Sequence, residues 1–394
     1  MEGFCVMKKV LVLFFLLVAF NVNAQNTGTS EKVPGIAVAH SPKSTGKYLG
    51  TPSIAVLPNG DYLMSFDFFG PKCTSDIVHV YKSSDKGATW QFLTELEDTF
   101  WAGLFVVKNE VYLLGVRGSD RNLSIRKSAD YGKTWTPHAI LRAGRFHGSS
   151  TPVVFHEGKI YKGYDHLGFE NKKKPWMSEN KSFVMWADEN GDLLKPENWK
   201  YSDEIVKPKE IDGTGWLETN AVLGRDGLIK GITRVANESG YIAGYYSVNK
   251  DGSVDKSSIK AIPFLGGATK FNVMWDARTK KYWALTNYPS EILRKPKMRA
   301  GGMRSVLALV SSPDLENWKV NKIVLASDDV KYHGFQYVDW QFEGKDIIVM
   351  DRVSFTDEFG EADNAHNSNY MIFHRISNYA KSKTDKALKK YINQ

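Results

Sequence analysis

The chain has 394 residues, a formal net charge of +8, and 13% aromatic residues against 24% charged ones. Of its two cysteines, Cys5 lies ahead of an apolar leader, so Cys73 alone remains in the expected mature chain and an intrachain disulfide framework is excluded. The positive charge suits an acidic partner, yet no basic block interleaved with aromatics marks a nucleic-acid groove.

In chain order, residues 1–24 read as a signal peptide. Lys8 and Lys9 precede the apolar run Val10 to Phe20, and Val22-Asn23-Ala24 gives a small-x-small cleavage site. The run is too short for a permanent membrane span. Residues 25–394 then read as one domain, periplasmic or secreted, since no composition break divides them. Turn signals flanked by β-type residues recur at Pro58-Asn59-Gly60-Asp61, Lys108-Asn109-Glu110, His156-Glu157-Gly158, Arg225-Asp226-Gly227, Asp276 to Lys281 and Glu343-Gly344-Lys345. Each predicts a hairpin. Ser83-x-Asp85-x-Gly87-x-Thr89-Trp90 recurs as Ser128-x-Asp130-x-Gly132-x-Thr134-Trp135, about one propeller blade later. The Asp can accept turn N–H groups, the Gly can adopt positive φ and the Trp packs between sheets, so both copies are read as structural. Degenerate copies occur at Gly191 to Trp199, Asn249 to Gly252 and Ser311 to Trp318. Six blades are countable, and a seventh is expected from pairing Gly35 to His40 with Asn369 to Ile376. The expected fold is a single all-β, seven-bladed propeller, with the basic stretch Lys381 to Lys390 as a solvated terminal helix.

Several histidines sit in polar, turn-rich settings where an imidazole could exchange protons near neutral pH: His40, His147, His333 and His366. Arg117, Arg145, Lys270, Arg304 and Arg352 flank β runs and are candidates to hold a carboxylate, which Arg grips in a bidentate way. Three long polar loops, 169–180, 288–304 and 354–369, are candidates for a substrate rim. No metal-ligand, nucleophile-elbow or phosphate-loop motif is present, so neither metal nor cofactor is expected.

The Ser-x-Asp-x-Gly-x-Thr-Trp pattern resembles the Asp box of sialidase-like propellers. A sialidase further implies an Arg triad, a Tyr nucleophile with an acidic helper, and an early Phe/Tyr-Arg-Ile-Pro segment. His374-Arg375-Ile376-Ser377 is at the wrong end and lacks the Pro. Longer stretches carry a second resemblance: Ser41-Pro42 to Pro52-Ser53, Leu57 to Leu63, Asp67 to Pro71, Phe100 to Phe105, His333 to Phe342, and Asn369 to Ile376. These are similar to exported bacterial seven-bladed propellers that act on the L-rhamnose-α-1,4-D-glucuronate cap of arabinogalactans such as gum arabic, as lyases or α-L-rhamnosidases. The resemblance implies a catalytic His, carried onto His40, with His147, His333 and His366 as alternatives. It implies an acidic poly- or oligosaccharide as partner and a monomer that needs neither nucleic acid nor membrane. The alternatives are an ulvan-type uronate lyase, a sialidase-like glycosidase, and a non-catalytic carbohydrate-binding propeller.

Overall fold

A computed structural model describes residues 32–392 except 169–173, 176 and 382–385. The expected signal peptide lies outside the described residues. The chain forms six antiparallel sheets in succession. Blade 1 comprises Ser53–Val56, Tyr62–Phe69, Ile77–Ser83 and Gln91–Glu97. Blade 2 comprises Thr99–Val107, Glu110–Arg117, Leu123–Ser128 and Ala139–Arg142. Blade 3 is built on Val154–His156, Lys159–His166, Lys181–Asp188 and Lys200–Tyr201, with the short Phe146–His147 beside its second strand. Blade 4 comprises Trp216–Leu223, Ile229–Val235, Ile242–Val248 and Val254–Pro263. Blade 5 comprises Asn272–Asp276, Lys281–Asn287, Val306–Ser312 and Lys319–Ala326. Blade 6 takes Gly334–Glu343, Asp346–Ser354 and Tyr370–Ile376 from the C-terminal part and its outer strand, Ile36–His40, from the N-terminal part.

The expected seventh blade is therefore corrected to six among the described residues. The predicted pairing of the two ends does form, with Ala37 opposite Ile372 and His40 opposite Tyr370. Those strands complete the sixth sheet rather than founding a seventh. All six predicted turns fall between the first and second strands of the six blades, so the turn count equals the blade count.

A sheet buried on both faces must be apolar on both, and the second strands show this: Tyr62–Phe69 and Asp346–Ser354 are buried along most of their length. The apolar side chains form a layer between each pair of consecutive blades. Leu63, Val80, Leu104 and Leu113 join blades 1 and 2, and Ile54, Met64, Phe66, Ile348, Met350 and Phe373 join blades 1 and 6 and close the ring.

Polar bonds link the first strands around the axis. Asp339 accepts from Ser53 Oγ (2.8 Å), the Ile54 N–H (2.9 Å) and Asn272 Nδ2 (2.9 Å). Ser53 Oγ also accepts the Leu104 N–H at 2.9 Å. The buried ammonium of Lys162 donates to the carbonyls of Ser149 (3.2 Å) and Thr151 (2.6 Å). Buried polar groups of this kind are stable only when satisfied.

The two copies of the repeated pattern make the same turn between third and fourth strands. Ser83 Oγ donates to Asp85, which accepts the Thr89 N–H at 2.9 Å, and the Trp90 indole N–H donates to the Gly87 carbonyl at 3.1 Å. Ser128, Asp130, Thr134, Gly132 and Trp135 repeat each bond. At the degenerate copy, Ser312 Oγ meets Asp314, and Trp318 donates to the Leu315 carbonyl at 2.7 Å. Strand alternation puts these turns on the face opposite to the one where first strands begin.

Candidate active site

The starts of the first strands, the ends of the second strands and the connections to the third strands share one face. There they enclose a cleft of about 200 Å³ lined by Thr51, Asp67, Phe69, Trp101, His147, Ser149, Tyr337, Arg352 and His366.

One local device shapes it. Three first strands slip register near their beginnings: between Phe100 and Gly103, between Leu217 and Asn220, and between Gln336 and Asp339. Each irregularity contains a non-glycine residue with left-handed backbone: Trp101 (φ 46°), Glu218 (φ 62°) and Tyr337 (φ 54°). A bulge re-aims a side chain, and a bulky residue in that conformation persists only where its surroundings hold it. The holding groups sit at the ends of the preceding blades' second strands. Asp67 accepts the Trp101 N–H at 2.8 Å. Asp165 accepts the Glu218 N–H at 2.5 Å and the Thr219 hydroxyl at 2.7 Å. Asn287 donates to the Phe335 carbonyl at 2.6 Å.

Three guanidinium groups converge on Tyr337. Arg234 Nη1 reaches its hydroxyl at 3.3 Å. The guanidinium carbons of Arg352 and Arg304 lie 4.5 and 5.5 Å from its ring centroid. Arg234 also donates to Glu218 at 3.0 Å. Burial opposes the Glu218 carboxylate, but Arg234 outweighs it and holds Glu218 below the usual carboxylate range. Arg304 donates to Gln336, and Arg352 to the His366 carbonyl at 2.6 Å and Ser368 Oγ at 3.2 Å. Burial lowers Arg352 to about 10, which leaves it charged at neutral pH. Among the described residues Arg304 and Arg352 form no salt bridge, so the cleft has cationic capacity for an added carboxylate.

His147 faces this cluster. Its ring centroid is 4.2 Å from that of Trp101, and burial lowers it to about 4, so it is a neutral base at pH 7. His147 Nδ1, Ser149 Oγ and Glu218 Oε1 are buried without a partner among the described residues. Such atoms are uncommon in folded proteins, and each calls for an explanation. His366 stands at the rim, its ring 5.5 Å from Phe69. Partial enclosure, then Arg352 and Arg304, disfavour its charged form. Asp67 is raised to about 6 by burial, although the Thr51 and Trp101 N–H groups work in the other direction.

Of the residues singled out in the sequence, the cleft unites His147, His366 and Arg352, with Arg304 buried behind Tyr337. His40 is on the same face at the outer edge, where it bonds Asp357 at 2.9 Å and stacks on Tyr370 at 4.3 Å. His333 is buried between Ser327 Oγ (2.8 Å) and Thr356 Oγ1 (2.9 Å), against Phe355. The acids near these two histidines, Asp357 with Glu358 and Asp329 with Glu361, form two groups whose donor atoms lie within 4.8 Å of one another, close enough for a cation, although both imidazoles already have partners. Arg117 pairs with Asp120, and Arg145 is exposed ahead of Phe146–His147. Lys270 is buried at the axis, donating to the Ser150 and Val338 carbonyls. Asp85, Gly87, Trp90, Asp130, Gly132 and Trp135 are on the opposite face. Of the three loops, 354–369 contributes His366 and 288–304 ends at Arg304, while part of 169–180 lies outside the described residues.

Sequence reasoning assigned no role to Arg234, Glu218, Tyr337 or Trp101. A signal was present in Trp216–Leu223: a strand buried throughout except at its last residue carries Glu218 and Asn220 in its middle, where charge is seldom tolerated. An Arg triad with a Tyr and an acid is thus assembled without the Phe/Tyr-Arg-Ile-Pro segment. Arg375, from the look-alike segment, instead pairs with Glu343 at 2.6 Å on the opposite face.

No protein-family model and no curated protein sequence matches the chain. Solved structures do. An α-L-arabinanase of Penicillium chrysogenum is 13% identical over 89% of this chain and 99% of its own, with a TM-score of 0.58. The NanB sialidase of Streptococcus pneumoniae is 12% identical over 87% of this chain and 70% of its own, at 0.56. A protein of unknown function from Dyadobacter fermentans is 12% identical over 88% and 98%, at 0.53. The likeness is one of fold: this chain is a β-propeller of the kind found in arabinanases and sialidases.

Proposed function

We propose that this chain is an exported carbohydrate-active enzyme. On this reading it removes terminal L-rhamnose from the 4-position of D-glucuronate in arabinogalactan-type polysaccharide, by β-elimination and without a cofactor. The observation that carries the reading is Arg352, charged and without a salt-bridge partner, lining one cleft with a neutral His147 and the phenol of Tyr337, with Arg304 behind that ring. The Arg352 guanidinium takes the uronate carboxylate and stabilises the enolate-like charge that develops on it. The His147 imidazole takes the proton from C5. The electron pair forms the C4–C5 double bond as the C4–oxygen bond breaks. The Tyr337 hydroxyl gives its proton to the departing rhamnose oxygen, and solvent then carries the proton from the imidazolium of His147 to the phenolate of Tyr337, which restores both groups. The roles move the acid–base work from His40, the residue that the family resemblance implied, to His147. His40 Nε2 is occupied by Asp357 at the outer edge, whereas His147 lines the cleft.

Incubation with gum arabic tests this. Free rhamnose should appear together with the ultraviolet absorbance of a conjugated uronate double bond, and carboxyl-reduced material should be inert. Equal turnover of the reduced material removes the uronate from the mechanism.

One observation favours a second reading. Glu218 and Tyr337 share Arg234, and a Tyr activated by an acid can act as a nucleophile in a retaining glycosidase. Rhamnose or another sugar released without the unsaturated product would select that hydrolytic route.

A further inference from the structure

We propose that Trp101 is the stacking platform for the neutral sugar next to the uronate, and that it rather than the arginines sets which sugar is accepted there. The proposal rests on the reading that Arg352 holds a uronate. Three observations lead to it. First, the fold spends several groups on aiming this indole. Trp101 occupies the same bulge position as Glu218 and Tyr337, at a positive φ that costs a bulky residue free energy. Its N–H is taken by Asp67 at 2.8 Å, whose other oxygen is fixed by the Thr51 N–H at 2.7 Å. Gly50 makes this arrangement possible, because a Cβ there would stand 1.7 Å from Asp67 Oδ1. Second, Trp101 lines the cleft and is only half-buried. It lies against His147 (4.2 Å) and under the Arg121 guanidinium (5.1 Å). A sugar whose C4–oxygen bond is broken beside His147 must therefore have its neighbour close to this ring. Third, Glu218 and Tyr337, the other two residues turned by the same device, both touch the buried Arg234, whereas Trp101 turns an indole to the cleft. An indole packs well on C–H-rich sugar faces, and a 6-deoxy sugar adds a methyl group to that face.

Calorimetric titration in a Tyr337→Phe background, which stops turnover, separates the roles. The probes are D-glucuronate and the disaccharide α-L-rhamnosyl-(1→4)-D-glucuronate. Trp101→Ala should weaken the disaccharide about tenfold and leave glucuronate unchanged. Trp101→Phe should retain most of the affinity, and Arg352→Gln should weaken both probes. Unfolding temperatures check that each variant is folded. Binding of both probes by the parent with no selective loss in Trp101→Ala overturns the platform alone. Failure of the parent to bind either probe overturns the uronate reading, and the platform with it.

Discussion

Arg352 shows how a single side chain decides the chemistry of this cleft. It is buried, so its charge is costly, yet at about 10 it keeps that charge throughout the physiological range. Arg352→Gln should lower kcat/KM on an acidic substrate by roughly a hundredfold or more, the scale of losing a charge-assisted contact in a dry site. The check is the ratio of rates on native and carboxyl-reduced substrate: the variant should lose the preference as well as the rate. His147 supplies a second expectation. Burial lowers its pKa from the ordinary histidine value to about 4, so the base form persists well below pH 6.5 and is lost only as pH falls through about 4. The acid limb of kcat/KM should therefore lie near pH 4, and a limb at 6 to 7 would assign the base to another group. His147→Ala should remove that limb along with about 10²–10⁴-fold of the rate. At this scale the sequence was half legible. Arg304, Arg352, His147 and His366 stood out because charged or polar residues interrupt turn-rich or β-type segments. Glu218, Tyr337 and Trp101 did not, because a bulge changes which face of a strand a residue occupies, and alternation patterns assume that no bulge intervenes.

The bulged first strand is the element that makes a propeller into a site. Each bulge borrows a polar group from the preceding blade, so the cleft depends on neighbouring sheets staying in register. Asp165→Ala would leave the Glu218 N–H and the Thr219 hydroxyl without their acceptor inside the protein. A loss of about 2–4 kcal/mol in unfolding free energy is expected, read by denaturant titration. Activity should fall further than stability alone explains, because Glu218 loses its aim. The Ser-x-Asp turns behave in the opposite way. Asp130 is bonded to its own turn, on the face away from the cleft. Asp130→Ala should lower the melting temperature while leaving kcat within about twofold; a large kcat loss in folded protein would contradict a purely structural role. Elements of this kind were the most legible in the sequence. Four of the six hairpin turns carry an Asn-Gly, Asp-Gly or Glu-Gly pair, whose Gly readily takes the positive φ that a tight turn needs, and the other two were found from polar residues between β-type runs. The blade number was overestimated because two terminal strands were credited with a sheet of their own, although a sheet is counted by its hairpins.

For the whole molecule, stability resides in six interblade layers and one closure. Ile36–His40 covers the outer edge of Tyr370–Ile376, and no covalent bond backs it up. Removing this strand should expose an unpaired edge, lower the melting temperature by at least about 5 °C and promote association, as read by calorimetry and light scattering. An unchanged melting point would mean that the layer between blades 1 and 6 suffices to hold the ring. The closure also orders events in time. His40 and Asp357 are 317 positions apart. At a synthesis rate of about 5–20 residues per second, the first strand of the fold waits some tens of seconds for the last sheet it belongs to. Until then the growing chain is an open arc with two sticky ends, and it becomes a ring only when Tyr370–Ile376 is available to pair with Ile36–His40. Ring closure, not blade formation, is therefore the step at which a chaperone that keeps the early strand from pairing elsewhere would raise the yield of native protein.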